Sequence, residues 1–228
     1  MKQKLFQLTL LLALINLLIT AFLGVLLRVH PVVQIDGLVP RFVIHAHSHV
    51  AFLGWVFLAL IAFIYKYWFS ECRKVAFQYL VLLILFQASV LGMLFSFPFT
   101  GYALWSIVFS SLHMAASLYF VVFFERKSLD FSPVVKQFVR LGLYFMALSS
   151  IGPLALGPLI ATGHKMDMWY NLAIYFYLHF QYNGWFTMAI IGLIIHQLPQ
   201  FTIDKNRRKI KRSIWLLSMG IVLSYLLS

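Results

Sequence analysis

Apolar residues fall in seven long runs separated by short polar connections, roughly at 5–27, 42–65, 76–97, 101–124, 137–161, 169–197 and 213–227. Runs of about 20 such residues are long enough to cross a bilayer as helices. The pattern predicts an all-α fold, a polytopic membrane helix bundle of about seven transmembrane helices, with 1–228 as a single transmembrane domain. The last run is the shortest. Met-Lys-Gln-Lys ahead of the first run resembles the start of a signal peptide. That run, about 23 residues long, exceeds a usual h-region and shows no small-x-small cleavage site, so it reads as a retained span. Gly152, Pro153, Gly157 and Pro158 in the fifth run predict a kink or local unwinding. No internal repeat or low-complexity segment stands out.

The cations orient these spans. Lys2 and Lys4 precede the first. Lys66, Arg73 and Lys74 follow the second, and Arg126, Lys127, Lys136 and Arg140 flank the fourth and fifth. Six more lie between Lys205 and Arg212, after the sixth span. With seven helices all of these fall on one side, opposite loops that carry only Arg28, Arg41 and Lys165. Positive residues stay inside, so the N-terminus is expected in and the C-terminus out, in a multi-pass protein of the cell (inner) membrane.

Composition supports the same class. Of 228 residues 62% are hydrophobic and 11% charged, where a soluble domain carries about a quarter charged. Eighteen Lys and Arg against six acids leave a net charge of +12. Because the cations sit in short loops between spans, they indicate contact with membrane lipids and not with nucleic acid. Cys72, the single cysteine, excludes an internal disulfide and a multi-cysteine metal site. Asp36, Glu71, Glu125, Asp130, Asp167 and Asp204 all lie in connections or at helix ends. Proton-coupled pumps and divalent-cation transporters usually keep an acid inside the membrane, so its absence weighs against both.

The polar residues that do enter the spans are histidines. His45, His47 and His49 open the second, His113 lies in the fourth and His179 in the sixth. On a helix turning about 100° per residue, His45 and His49 share a face and His47 looks roughly the opposite way. Neutral imidazole suits haem iron, copper and zinc. These five residues are the candidate metal ligands, and His47, His49 and His113 the candidate haem ligands. Arg41, one turn above His45, is placed to pair with haem propionates or to anchor the interface. Interhelical hydrogen bonding, with Ser48, Ser110, Ser111 and tyrosines as partners, is the competing reading. His30, His164 and His196 read as interfacial polar residues.

The segment His47-Ser-His49-Val-Ala-Phe-Leu-Gly54-Trp55 resembles the tenth helix of subunit I in haem–copper oxidases, above all the branch that includes nitric oxide reductases. There an H-x-H pair, followed by a short apolar run and Gly, ligates two haems from opposite faces. The resemblance implies that His47 holds a high-spin catalytic haem and His49 a low-spin haem; His113, whose surroundings Ser-Leu-His-Met do not match the family, is the candidate to oppose it. His179-Phe-Gln-Tyr-Asn183-Gly184-Trp185-Phe186 is similar to the helix whose His binds the second metal of that family. It further implies haem b, with copper as a second cofactor, electron transfer or O2/NO binding in a respiratory membrane, and oxidase or other respiratory-chain subunits as partners. If the chain is an enzyme, the resemblance makes it an oxidoreductase of that type. The alternatives are a copper or haem carrier for assembly of a terminal oxidase, a structural subunit whose histidines join helices, and, last, a small-molecule transporter.

Overall fold

The computed structural model describes residues 1–129, 133–163 and 167–227, apart from the side chain of Phe201. His164, Lys165 and Asp130 lie outside them. Among the described residues the chain is helical throughout, with one isolated bridge between Phe69 and Ser128. The helices are α1 (Lys2–Val33), α2 (Pro40–Trp68), α3 (Arg73–Thr100), α4 (Leu104–Lys127), α5 (Pro133–Ala161), α6 (168–196), α7 (Gln200–Lys205) and α8 (Arg207–Tyr225). Helices α1 to α5 are long and apolar enough to cross a membrane. The other two expected spans coincide with the helices α6 and α8, which fall short of that apolarity: His179, Gln181, Tyr182 and Asn183 dilute the first and basic residues fill the start of the second. Contacts divide the chain into two compact units, Met1–Ser128 and Leu129–Ser228.

Local chemistry sets the ends and breaks. Pro40 opens α2 at a position where its missing N–H costs nothing. Gly101 ends α3 at φ +61, donating to the Phe97 carbonyl at 2.9 Å. A side chain there would face both left-handed strain and the Phe42 ring. The expected kink in α5 is a break at Ser150, between Pro133–Ser149 and Ile151–Ala161. Pro153 has no N–H to give the Ser149 carbonyl, so the α-helical ladder lapses there.

Helix α2 is α-helical over Pro40–His49, π-helical over Val50–Val56 and α-helical again over Phe57–Trp68. Helix α6 repeats this with Met168–His179, a π-helical Phe180–Phe186 and Thr187–His196. A π turn carries an extra residue, which displaces backbone carbonyls from their usual partners. In unit 1 one of them is met from α1. The Asn16 amide donates to the Gly54 carbonyl at 3.1 Å and to Gln87 of α3 at 3.0 Å, and Gln87 donates back to Asn16 at 3.3 Å. Asn16 is fully buried, and Thr9 and Thr20 lie on the same side of α1, each hydroxyl returned to its own helix. Packing fills the remainder. Tyr65 stacks on Tyr79 at 3.7 Å, while Phe69 stacks on Phe123 at 4.7 Å. At Gly92 a Cβ would strike the Phe109 ring, so that ring of α4 packs directly on the α3 backbone.

Replacing Asn16 by Leu strands the Gly54 carbonyl and the Gln87 amide in an apolar interior. The expected loss is about 1–3 kcal/mol, read as earlier unfolding of the detergent-solubilised protein. Cys72 offers a second check. It is exposed ahead of α3, where the Val75 and Lys74 N–H groups, helped by the Lys127 and Lys74 charges, hold its thiol below the usual range. At neutral pH it should alkylate faster than a cysteine in a short peptide, and the advantage should shrink as the pH rises to the ordinary thiol range.

Candidate functional site

In unit 1 the three α2 histidines diverge as helical geometry requires. His47 faces α1, where Gly24 leaves room for its ring and a Cβ would come within 3.3 Å of Cε1. Its Nδ1 lies 3.0 Å from the Thr20 carbonyl. His45 and His49 face the end of α3 and the residue after it. The His49 ring is 4.5 Å from that of Phe97 and 6.0 Å from that of Tyr102, and His45 is 4.7 Å from Tyr102. His49 Nδ1 is 2.9 Å from the His45 carbonyl one turn back. Arg41 is exposed in the first turn of α2.

His113 lies on α4 and is 2% exposed, edge-on to Phe57 at 5.0 Å and tilted against Phe86 at 5.2 Å. Ser117, one turn later, donates its hydroxyl to the His113 carbonyl at 2.8 Å and sits 3.2 Å from Nδ1. The ring is close enough to His49 for the two to interact electrostatically. The Leu53 carbonyl of the π-helical turn also approaches it, yet nothing completes a hydrogen bond to the buried Nε2.

The partners decide the tautomers. A carbonyl can only accept, so a ring nitrogen facing one must carry the proton and the other becomes the lone-pair nitrogen. Ser117 can serve His113 Nδ1 as donor or acceptor, whereas His47 and His49 donate through Nδ1–H to carbonyls and both therefore present Nε2 lone pairs. Metal-binding histidines are commonly held this way, the second nitrogen donating to a carbonyl or similar acceptor.

His179, in unit 2, is arranged the other way. Its Nε2 lies 2.8 Å from the Ile221 carbonyl of α8, so Nε2 carries the proton, and Nδ1 accepts from the Asn183 amide at 3.2 Å. Both nitrogens are engaged. Tyr225 and Phe180 pack on the ring at 5.6 and 5.2 Å. His30 accepts the Ile35 N–H at 3.2 Å just past the end of α1, a capping role.

The structure thus gathers His49 and His113 in unit 1, with His45 beside His49, and directs His47 elsewhere. Among the described residues no three His, Cys, Asp or Glu side chains converge as a metal-binding group. Two imidazoles suit the axial positions of a haem, or a two-coordinate copper ion, better than a four-ligand zinc site. The sequence reading passed over Asn16, Gln87 and Ser117, which hold the site's backbone and ring. The signal was available, since Asn16 and Gln87 are amides near the middle of apolar spans and Ser117 stands one turn after His113. The fold and site define a class, an all-helical membrane protein with imidazoles set within its bundle. Comparison with known protein families, curated proteins and solved structures yields no match.

If His113 is kept for a ligand and does not join helices, Leu in its place fills the same aromatic box without an unmet polar atom. His113→Leu should leave the ligand-free protein within about 1 kcal/mol of wild type, measured by thermal unfolding. A much larger loss would mark the imidazole as structural.

Proposed function

We propose that this chain is a haem-binding integral membrane protein, with His49 and His113 as the two ligands of a b-type haem in unit 1. The observation that carries the reading is the His113 Nε2, a buried ring nitrogen without a hydrogen-bond partner, within electrostatic range of the His49 imidazole. Such an atom costs about 1–3 kcal/mol when left unmet, and ligation removes that cost. Phe57 and Phe86 flank one ring, Phe97 and Tyr102 the other, which are suitable walls for a porphyrin. Haem iron would supply one-electron redox chemistry and affinity for diatomic gases. The chain's part is to hold the rings, exclude water and, through Arg41 at the start of α2, pair with a propionate. His47, turned the other way toward α1, is left to border a second position for haem or copper. On this reading the protein works as a multi-pass component of the cell (inner) membrane, beside respiratory-chain or oxidase subunits, and the basic connections between its apolar spans support the membrane part of it.

A second reading, a carrier that passes copper or haem to a terminal oxidase, has its own support. Phe57 and Phe86 already close around His113, and a bare copper ion held by two imidazoles demands little new space.

Optical spectra of the purified full-length protein, oxidised and reduced, with metal analysis of the same sample, test both. The expected result is a Soret band that survives purification and falls at least tenfold in His49→Ala and His113→Leu, with helical circular dichroism unchanged. Copper without haem, or haem lost on purification, would favour the carrier. A wild-type protein with neither, even after incubation with haemin or Cu(I), would overturn the proposal.

A further inference from the structure

Both Gly-Trp pairs in the chain, Gly54-Trp55 and Gly184-Trp185, stand five residues after a histidine, His49 and His179. At this composition a given histidine is followed by such a pair at that spacing about once in seven hundred times by chance. The backbone repeats with the sequence. A seven-residue π-helical segment begins immediately after each histidine. Each segment closes with the same bond, Phe57 N–H to the Phe52 carbonyl and Thr187 N–H to the Tyr182 carbonyl.

The neighbours repeat as well. In each unit the preceding helix offers a glycine to the residue two before the histidine. A Cβ on Gly24 would meet His47, and one on Gly152 would meet Tyr177. That same preceding helix also presses on the motif glycine, Asn16 on Gly54 and Phe145 on Gly184. An aromatic residue of a later helix covers the ring in both cases, Phe97 on His49 and Tyr225 on His179. Membrane proteins are often built from such internal repeats.

We infer that the chain contains two copies of one three-helix module, α1–α2–α3 and α5–α6–α8, whose second copy has turned the ligand position into a clasp. By this correspondence His45, His47 and His49 answer to Tyr175, Tyr177 and His179. The first copy offers imidazoles with Nε2 lone pairs. In the second, two imidazoles are replaced by phenols and the third is tied at both nitrogens, joining α6 to α8 through Ile221. His113, on α4, belongs to neither module. His179 is thus a positioning residue, and the haem or copper of the proposed function, on which this last part rests, sits in unit 1 alone.

The test uses the full-length protein. Nitrogen-15 NMR of labelled histidines should show His179 protonated at Nε2, and His47 and His49 at Nδ1. In a Cys72→Ser background, a short thiol cross-linker should join Gly24→Cys to His47→Cys and, equally, Gly152→Cys to Tyr177→Cys. His179→Gln keeps an amide donor for the Ile221 carbonyl and should retain haem or copper per folded chain, whereas His179→Ala should unfold earlier yet retain it too. An Nδ1-protonated His179, failure of the Gly152–Tyr177 pair, or a twofold or greater loss of haem or copper per folded chain in His179→Gln would each overturn the inference. A wild-type protein without haem or copper would instead defeat the proposed function, and the tautomers and cross-links would still decide between one module and two.

Discussion

The bond from the Asn16 amide to the Gly54 carbonyl supports much of unit 1. In an apolar interior a carbonyl displaced from the helical ladder must find a donor, or the segment reverts to a regular helix. Asn16 supplies that donor from α1, and Gln87 steadies Asn16 from α3. The π-helical turn of α2 is thereby stabilised, and the turn sets how His49, ahead of it, and Phe57, beyond it, are offset around the helix. Phe57 in turn packs on His113. A chain of contacts runs from one buried amide to the two candidate ligands.

The same accounting separates the histidines by role. In water an imidazole changes tautomer freely. Inside a bundle its one acceptor decides which nitrogen keeps the proton. His49 and His47 give their Nδ1 protons to backbone carbonyls, as ligating histidines do. His179 gives its Nε2 proton to a neighbouring helix and takes a bond from Asn183 in return. One motif, His followed at fixed distance by Gly-Trp, therefore yields a presented nitrogen in one unit and a closed hydrogen-bond clasp in the other. The difference comes from which helix supplies the carbonyl.

The resemblance to haem–copper oxidase subunit I led to His47, His49 and His179 as ligands of separate centres. The geometry adds a preference among them. His49 and His113 share unit 1 and an aromatic surround, while His47 lies on α1, against Gly24 and the Thr20 carbonyl. The likeness between the two histidine segments is also a likeness within the chain, carried by the paired π-helical turns.

What the sequence determined by itself is what one-dimensional pattern can encode. Apolar run length marked the helices from Lys2 to Tyr225, Gly and Pro marked the break in α5, and spacing placed His45 and His49 opposite His47. The acids outside the spans were equally visible, since charge in oil is costly wherever the helices lie. Partnership was not legible. That Asn16 meets Gly54, that Ser117 steers His113, and that Ile221 holds His179 depend on which helices pack together and in what register. The π-helical turns belong to the same group, because seven residues wind that way only when a neighbour answers the displaced carbonyls. Hydrogen-bond satisfaction is a property of the packed bundle, and it was there that the candidate ligands were told from the clasp.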